Sequence, residues 1–345
     1  MKALRKLQPG HGNVEVVEVA SPLPQEDEVV VEVQRAGVCG TDIHIFHDLY
    51  PKVRPPVTLG HEFCGVVVQV GSKVNEWKVG DRVAVDTAAS FCGICQFCRL
   101  HQTQLCDQRL GYGSGRDGGF ASFVAIRQGA LHRLPDHISF QEGALCEPLA
   151  CAAHAVMEIS STGPGKTVLV TGPGTIGLLV LQVAKAAGAN VVITGTEKDE
   201  KRLQLARGLG ADHCIQIDRQ DPLSLMAELT DGYGVNIALE CSGTVGGVND
   251  CLSSVRKGGE IIQVGLFGSP ISSVNYDGVI LKEIQIKGSF GHNRGTWGKT
   301  INLLNYRKVD LKPLITGEFS LSQWREVFQL FEEGRGLKYL LYPVP

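Results

Sequence analysis

Apolar positions along the first 85 residues come in short, valine-rich runs, and each run is cut by Gly, Pro or Asp. Residues 29–33, 65–70 and 83–85 have the length and composition of strands, and the punctuation between them suits an antiparallel, turn-rich sheet. Between residues 91 and 120 no period survives and cysteines and glycines crowd together, which predicts a loop. Around Thr167 the pattern changes. Residues 168–170 read as a short buried strand, 176–187 as a helix, 191–194 as a second strand and 200–209 as a second helix. Residues 211–217, 237–240 and 261–264 continue as strands, with helical patterns between most of them. Strands alternating with helices at this spacing imply an α/β fold with a doubly wound parallel sheet. From Gly288 on, residues 297–304 and 322–333 carry helical amphipathicity on either side of a turn at Pro313.

A length of 345 residues fits two domains. Lys plus Arg number 33 against 36 Asp plus Glu, so the chain lacks the basic excess that nucleic-acid binding needs. Its apolar stretches are too short for a membrane span, and the one at 176–187 is interrupted by Gln182 and Lys185. The N-terminus reaches Pro9-Gly10 before an apolar leader can form, so the expected location is the cytoplasm. A reducing compartment disfavours disulfides, and eleven cysteines cannot pair completely; metal ligation is the better explanation for them.

Gly172-Pro173-Gly174-Thr175-Ile176-Gly177 is a G-x-G-x-x-G between a strand and a helix, with a second strand completing the unit. The first glycine makes the turn, the second lets the backbone approach a pyrophosphate, and the third lets the helix pack closely on the sheet. The helix N-terminus then faces the phosphates. Gly195 and Thr196 stand where NAD sites usually carry an acid for the ribose, and Lys198, Lys201 and Arg202 follow. Thr196, Lys201 and Arg202 are therefore candidate contacts to a 2′-phosphate, which favours NADP. NAD, bound through Glu197, is the alternative.

Cys92, Cys95, Cys98 and Cys106 fall within 15 residues and can close a tetrahedral zinc site with no position left for substrate. An iron–sulfur cluster uses similar ligands, but Asp107 stands where such sequences usually carry Pro. A second, dispersed group comprises Cys39, His61 with Glu62, and Glu147. One thiolate, one imidazole and one or two carboxylates make a mixed set that can leave a coordination position open, as catalytic zinc requires. Spacing alone leaves each of them free to serve a local role instead.

Read in order, Cys39-Gly40-Thr41-Asp42-Ile43-His44, Gly60-His61-Glu62, the four-cysteine stretch, Glu147-Pro148-Leu149 and the glycine motif span nearly the whole chain. In these motifs the chain resembles the zinc-dependent medium-chain dehydrogenases, in the branch that holds the threonine and sorbitol-type polyol dehydrogenases. The resemblance implies a GroES-like, mostly-β catalytic domain (residues 1–152 and 288–345) with a structural zinc lobe at 91–110, and a Rossmann domain (153–287) inserted in it. It implies that Cys39, His61 and Glu62 hold catalytic zinc, with Glu147 as a fourth or exchangeable ligand, and that Thr41 and His44 relay protons. It further implies oxidation of a secondary alcohol, on a small polyol or a threonine-like substrate, to a ketone, and a homodimer or homotetramer paired along the sheet edge at 283–289. Both relatives tend to carry an arginine shortly after the strand ending at Gly288-Ser289-Phe290. Here Gly291-His292 stand there, with Arg294 two residues on, so neither substrate transfers directly.

Two further readings are a zinc-stabilised, non-catalytic dinucleotide-binding redox sensor and a zinc-independent quinone-reductase-type enzyme. The complete ligand and relay set argues against both. Other residues read as structural: His154 as a satisfied core histidine, Trp77 as turn packing, and Cys64, Cys146, Cys151, Cys214, Cys241 and Cys251 as small buried apolar groups. Asp42 reads equally as a turn former or as the partner of a neighbour, and His47 as a rival of His44.

Overall fold

A computed structural model describes residues 1–268 and 272–343. Two compact units are present. The first comprises Met1–Glu147, Asn293–Leu304 and Leu311–Pro345, and the second Pro148–His292 with Asn305–Asp310.

In the first unit the valine-rich runs form a seven-stranded sheet around the long strand Glu28–Gly37, which pairs antiparallel with Glu62–Val70 and with Phe123–Arg127. Alternation along Glu28–Gly37 buries Val29, Val31 and Val33 in one core with Phe63, Phe120 and Trp324. The C-terminal strand Lys338–Tyr342 carries Ile315–Ser320 on one side and on the other pairs antiparallel with Glu28–Gly37 at Ala36 and Gly37. That pairing brings residue 338, near the end of the chain, beside residue 62.

In the second unit six strands lie parallel in the order His213–Gln216, Asn190–Gly195, Thr167–Thr171, Val235–Glu240, Val255–Gln263, Gln285–Gly288. Numbered along the chain this is 3-2-1-4-5-6, the doubly wound arrangement that the alternating pattern predicts. The order reverses between Thr167–Thr171 and Val235–Glu240. The fifth strand starts six residues before the predicted 261, because Arg256, Lys257 and Gly258 are exposed, polar and bulged and carry no apolar signal. Asn305–Asp310 joins this unit through Gln182. That buried amide donates to the Asp310 carbonyl (3.1 Å) and accepts from its backbone N–H (2.6 Å). The polar residue that interrupts the apolar run at 176–187 thus recruits a distant piece of chain.

Asp212 fastens helix Thr175–Ala186 to the strand Asn190–Gly195. It accepts from Lys185 Nζ (2.7 and 2.9 Å) and from the Val191 backbone N–H (2.6 Å). Partial burial works to raise its carboxyl pKa, but Lys185 and the Val191 N–H outweigh it and hold the value below the ordinary Asp range. A depressed folded-state pKa contributes stability that is fully present above the unfolded value, about 3.9, and is lost as pH falls through the folded value. Asp212→Asn is therefore expected to lower Tm at pH 7, and the gap to wild type should close progressively below about pH 4 in thermal scans at stepped pH.

Candidate functional site

The short helix Gly40–Phe46 begins at Cys39, whose extended backbone (φ −120°, ψ 157°) makes it the N-cap. Asp42 is completely buried and accepts from the Cys39 N–H (3.0 Å) and the Gly60 N–H (3.3 Å). Its carboxylate also lies 3.8 Å from His61 Nδ1. Asp42 thus pins the two segments that carry Cys39 and His61 and sets a carboxyl group beside the imidazole, where an outer-shell partner of a metal-binding histidine would stand. The turn-former reading of Asp42 captures only part of this.

Cys39, His61 and Glu62 bring one ligand atom each within 4.8 Å of one another. A soft sulfur, an imidazole nitrogen and a carboxylate oxygen at that separation fit zinc. Burial works to lower the His61 pKa, but Cys39, Asp42 and Glu147 outweigh it and hold the imidazole well above its ordinary value. Glu147, itself buried, is close enough for its charge to act on His61 and Lys338.

Lys338 is the residue that sequence reasoning missed. Its buried ammonium donates to both Glu62 oxygens (2.9 and 2.6 Å) and to the Val38 carbonyl (3.1 Å). Burial alone would lower the lysine pKa; Glu62, Cys39 and Glu147 overcome that and raise it, so the group stays cationic. Glu62 is accordingly a carboxyl group that stands beside Cys39 and His61 and is bound through both oxygens to an internal cation. The only sequence signal was a lysine directly before the apolar run Tyr339-Leu340-Leu341, which reads as an ordinary strand boundary.

Thr41 Oγ1 points at Cys39 Sγ (3.9 Å), and His44 follows one turn later on the same helix. No hydrogen bond joins Thr41 to His44 among the described residues. His47 is engaged elsewhere, with Nε2 against Glu332 and Nδ1 3.2 Å from His11 Nδ1. It therefore fastens the helix end to the C-terminal helix Trp324–Glu332. His154 is paired with Glu158 (2.8 Å), and Trp77 donates to the Gln128 carbonyl (3.1 Å), both structural uses. Cys151, by contrast, offers its sulfur within 4.8 Å of a ligand nitrogen of the buried His292, a juxtaposition that its reading as a small apolar group did not anticipate.

In the cysteine loop Cys92 Sγ lies 3.9 Å from Cys98 Sγ and 3.7 Å from Cys106 Sγ, and Cys95 completes the set. A tetrahedron with zinc–sulfur bonds of about 2.3 Å has edges of about 3.8 Å, so the loop is already shaped for the ion. Backbone N–H groups of Ile94 and Cys95 point at Cys92 and, with neighbouring thiols, bring it down to about 6, which favours the thiolate a metal needs.

At the dinucleotide motif Gly172 has φ +86°, and a Cβ there would lie 2.8 Å from Ser242. A Cβ on Gly177 would strike the Gly172 carbonyl at 1.9 Å, whereas one on Gly174 meets nothing within 4 Å. Two glycines are thus required by packing, and the middle one faces open space at the N-cap of Thr175–Ala186, where a phosphate would approach. The 2′-phosphate expectation meets a different arrangement. Arg202 is bound to Asp199 (3.1 Å), Asp199 also accepts from the Thr196 hydroxyl (2.9 Å) and N–H (3.1 Å), and Glu197 faces Arg219 (3.4 Å). Lys201 projects from the exposed side of helix Glu200–Gly208.

Comparison with known proteins agrees with this geometry. A family model for the alcohol dehydrogenase GroES-like domain matches residues 25–136, and one for zinc-binding dehydrogenases matches residues 175–306. The chain is 43% identical to sorbitol dehydrogenase of Halalkalibacterium halodurans over 344 residues, covering 100% of both proteins. It is 39% identical to D-arabitol-phosphate dehydrogenase of Enterococcus avium, covering 100% of this chain and 98% of that one. The crystal structure of galactitol-1-phosphate dehydrogenase from Escherichia coli superposes with a TM-score of 0.88 at 28% identity, covering 99% of this chain and 100% of the other. The chain belongs to the zinc-binding alcohol dehydrogenase family and is an oxidoreductase acting on CH–OH donors. No described helix is long and apolar enough to cross a membrane.

Two measurements check the site. The purified chain should hold two zinc ions by elemental analysis, with Cys98→Ser leaving one. Lys338→Met strands a buried carboxylate and should cost about 3–5 kcal/mol in denaturant unfolding, partly recovered by adding Glu62→Gln.

Proposed function

We propose that the chain oxidises a secondary hydroxyl of a small polyol, or of its phosphate ester, to a ketone with NAD(P). The observation that carries this is the Cys39–His61–Glu62 set beside Thr41 and His44, in one chain with a 3-2-1-4-5-6 sheet bearing G-x-G-x-x-G. Cys39, His61 and Glu62, with Glu147 nearby, would hold zinc, which would supply Lewis acidity towards an alcohol oxygen, and a bound nicotinamide would supply the hydride acceptor. Cys39 contributes charge to the metal position, and Asp42 keeps His61 oriented. The Thr41 hydroxyl accepts the substrate proton and His44, one turn on, passes it towards solvent. Lys338 offsets the charge of Glu62, which would keep a metal held there electrophilic. A threonine-like substrate is the second reading, favoured by relatives 33% identical named L-threonine 3-dehydrogenase. The full cluster disfavours the non-catalytic sensor and the zinc-free quinone reductase.

For the cofactor, Asp199 and Glu197 occupy the two nearby guanidinium groups, and Asp218 accepts the Glu197 N–H. Glu197 and Asp199 follow the second strand and Asp218 the third; with Arg202 and Arg219 already engaged by carboxylates, the position suits a ribose hydroxyl better than a 2′-phosphate, so the proposal is NAD, against the sequence expectation of NADP. The edge strand Gln285–Gly288, with exposed Ile286, Leu281 and Ile280 around it, supports a homo-oligomer.

Assays of sorbitol, D-arabitol phosphate, galactitol 1-phosphate and L-threonine with NAD and NADP test the reading. Activity on a polyol or its phosphate is expected, with kcat/KM at least ten-fold higher for NAD. Glu197→Ala should erode that preference. His44→Ala should lower kcat by about 10²-fold or more at neutral pH. Turnover of threonine alone would transfer the assignment to the second reading, and turnover of none would defeat both.

A further inference from the structure

We propose that Glu240 is a positioning residue for the dinucleotide, its buried carboxylate tying together three loops at the cofactor edge of the sheet; the proposal rests on the dinucleotide-binding reading above. Glu240 ends the fourth strand and is wholly buried. Its Oε1 accepts from the Thr171 hydroxyl (3.2 Å), from the Ser242 N–H (2.8 Å) and from the Ser242 hydroxyl. Its Oε2 accepts from Gln263 Nε2 (2.6 Å) and the Gly243 N–H (3.0 Å). Its backbone carbonyl takes the N–H groups of Val264 and Gly265, each at 2.9 Å.

These donors are hydroxyl, amide and backbone groups, none of them charged. A carboxylate buried among neutral donors is costly unless nearly every lone pair is used. Here the donors come from the ends of three neighbouring strands. Thr171 directly precedes the Gly172 turn, Ser242 and Gly243 follow the fourth strand, and Gln263 ends the fifth and also donates to the Gly265 carbonyl (2.8 Å). Thr171 and Glu240 are register partners across the pair where the strand order reverses, which is where open α/β sheets bind their ligands.

The carboxylate occupies space that only glycine leaves open at two neighbouring positions. A Cβ on Gly247 would stand 2.6 Å from Oε1 and one on Gly265 2.9 Å from Oε2. Ser242, held by two bonds to Glu240, is in turn the surface on which Gly172 packs, at 2.8 Å from where its Cβ would be. The chain of contact runs from Glu240 to Ser242 to the Gly172 turn and so to the N-terminus of Thr175–Ala186. Loosening it changes the shape offered to the pyrophosphate and leaves the zinc ligands untouched.

The test is titration of NADH and NADPH by calorimetry, with zinc content and steady-state kinetics, on wild type, Glu240→Gln, Thr171→Val, Gln263→Leu and a control, Ile237→Val, which trims a buried side chain of the same strand. Glu240→Gln should raise Kd and KM for the preferred cofactor about ten-fold or more, with full zinc content and kcat at saturating cofactor within about three-fold of wild type. Thr171→Val and Gln263→Leu should each raise Kd about three-fold, and Ile237→Val should lower Tm without moving Kd. A folded Glu240→Gln with wild-type Kd overturns the proposal, as does a fall in kcat at constant Kd. Should that variant fail to fold, unchanged Kd in both Thr171→Val and Gln263→Leu overturns it. Wild type that binds neither nucleotide defeats the dinucleotide reading instead.

Discussion

A carboxylate removed from water must be met by cations or by enough donors to replace its hydration, and this requirement organises both units of the chain. Asp42, Glu62 and Glu240 are each at most 1% exposed, and each is met differently. Asp42 takes two backbone N–H groups and faces an imidazole; Glu62 takes a buried lysine; Glu240 takes only neutral donors. In every case at least one of the groups that meet the carboxylate comes from a distant part of the sequence, so the polar network and the tertiary fold specify each other. Solvating one of these groups releases the segments that carry the function along with it.

The site was legible where chemistry is local. Four cysteines within a short loop, and a glycine pattern between a strand and a helix, carry their meaning in spacing, because the loop or turn itself brings the groups together. Residues whose role depends on a long-range pairing left little trace. Lys338 gains its function only when Lys338–Tyr342 pairs with Glu28–Gly37, 300 residues earlier in the chain. Asp42 depends on Gly60, which closes the turn with φ +86°.

The fold followed the same rule. Alternating strand and helix signals gave a doubly wound parallel sheet, since each βαβ step is a local decision with a fixed hand. The polar, bulged entry to Val255–Gln263 was invisible to an apolar pattern. Of the cations near residue 200 that suggested a phosphate, Arg202 is engaged by Asp199, a pairing that a list of charges along the sequence does not reveal.

Asn305–Asp310 leaves the first unit, binds Gln182 in the second, and returns, so the backbone passes between the two units four times. Neither unit is a continuous stretch of gene product. A fragment ending at His292 would carry the whole parallel sheet yet leave the buried Gln182 amide without the peptide group that completes it, a loss on the order of 1–3 kcal/mol. Recombination that exchanges the nucleotide-binding half between relatives at its two obvious joints would therefore inherit a mismatched six-residue clasp, and a chimera that keeps the residue-182 and residue-310 segments from the same parent avoids it.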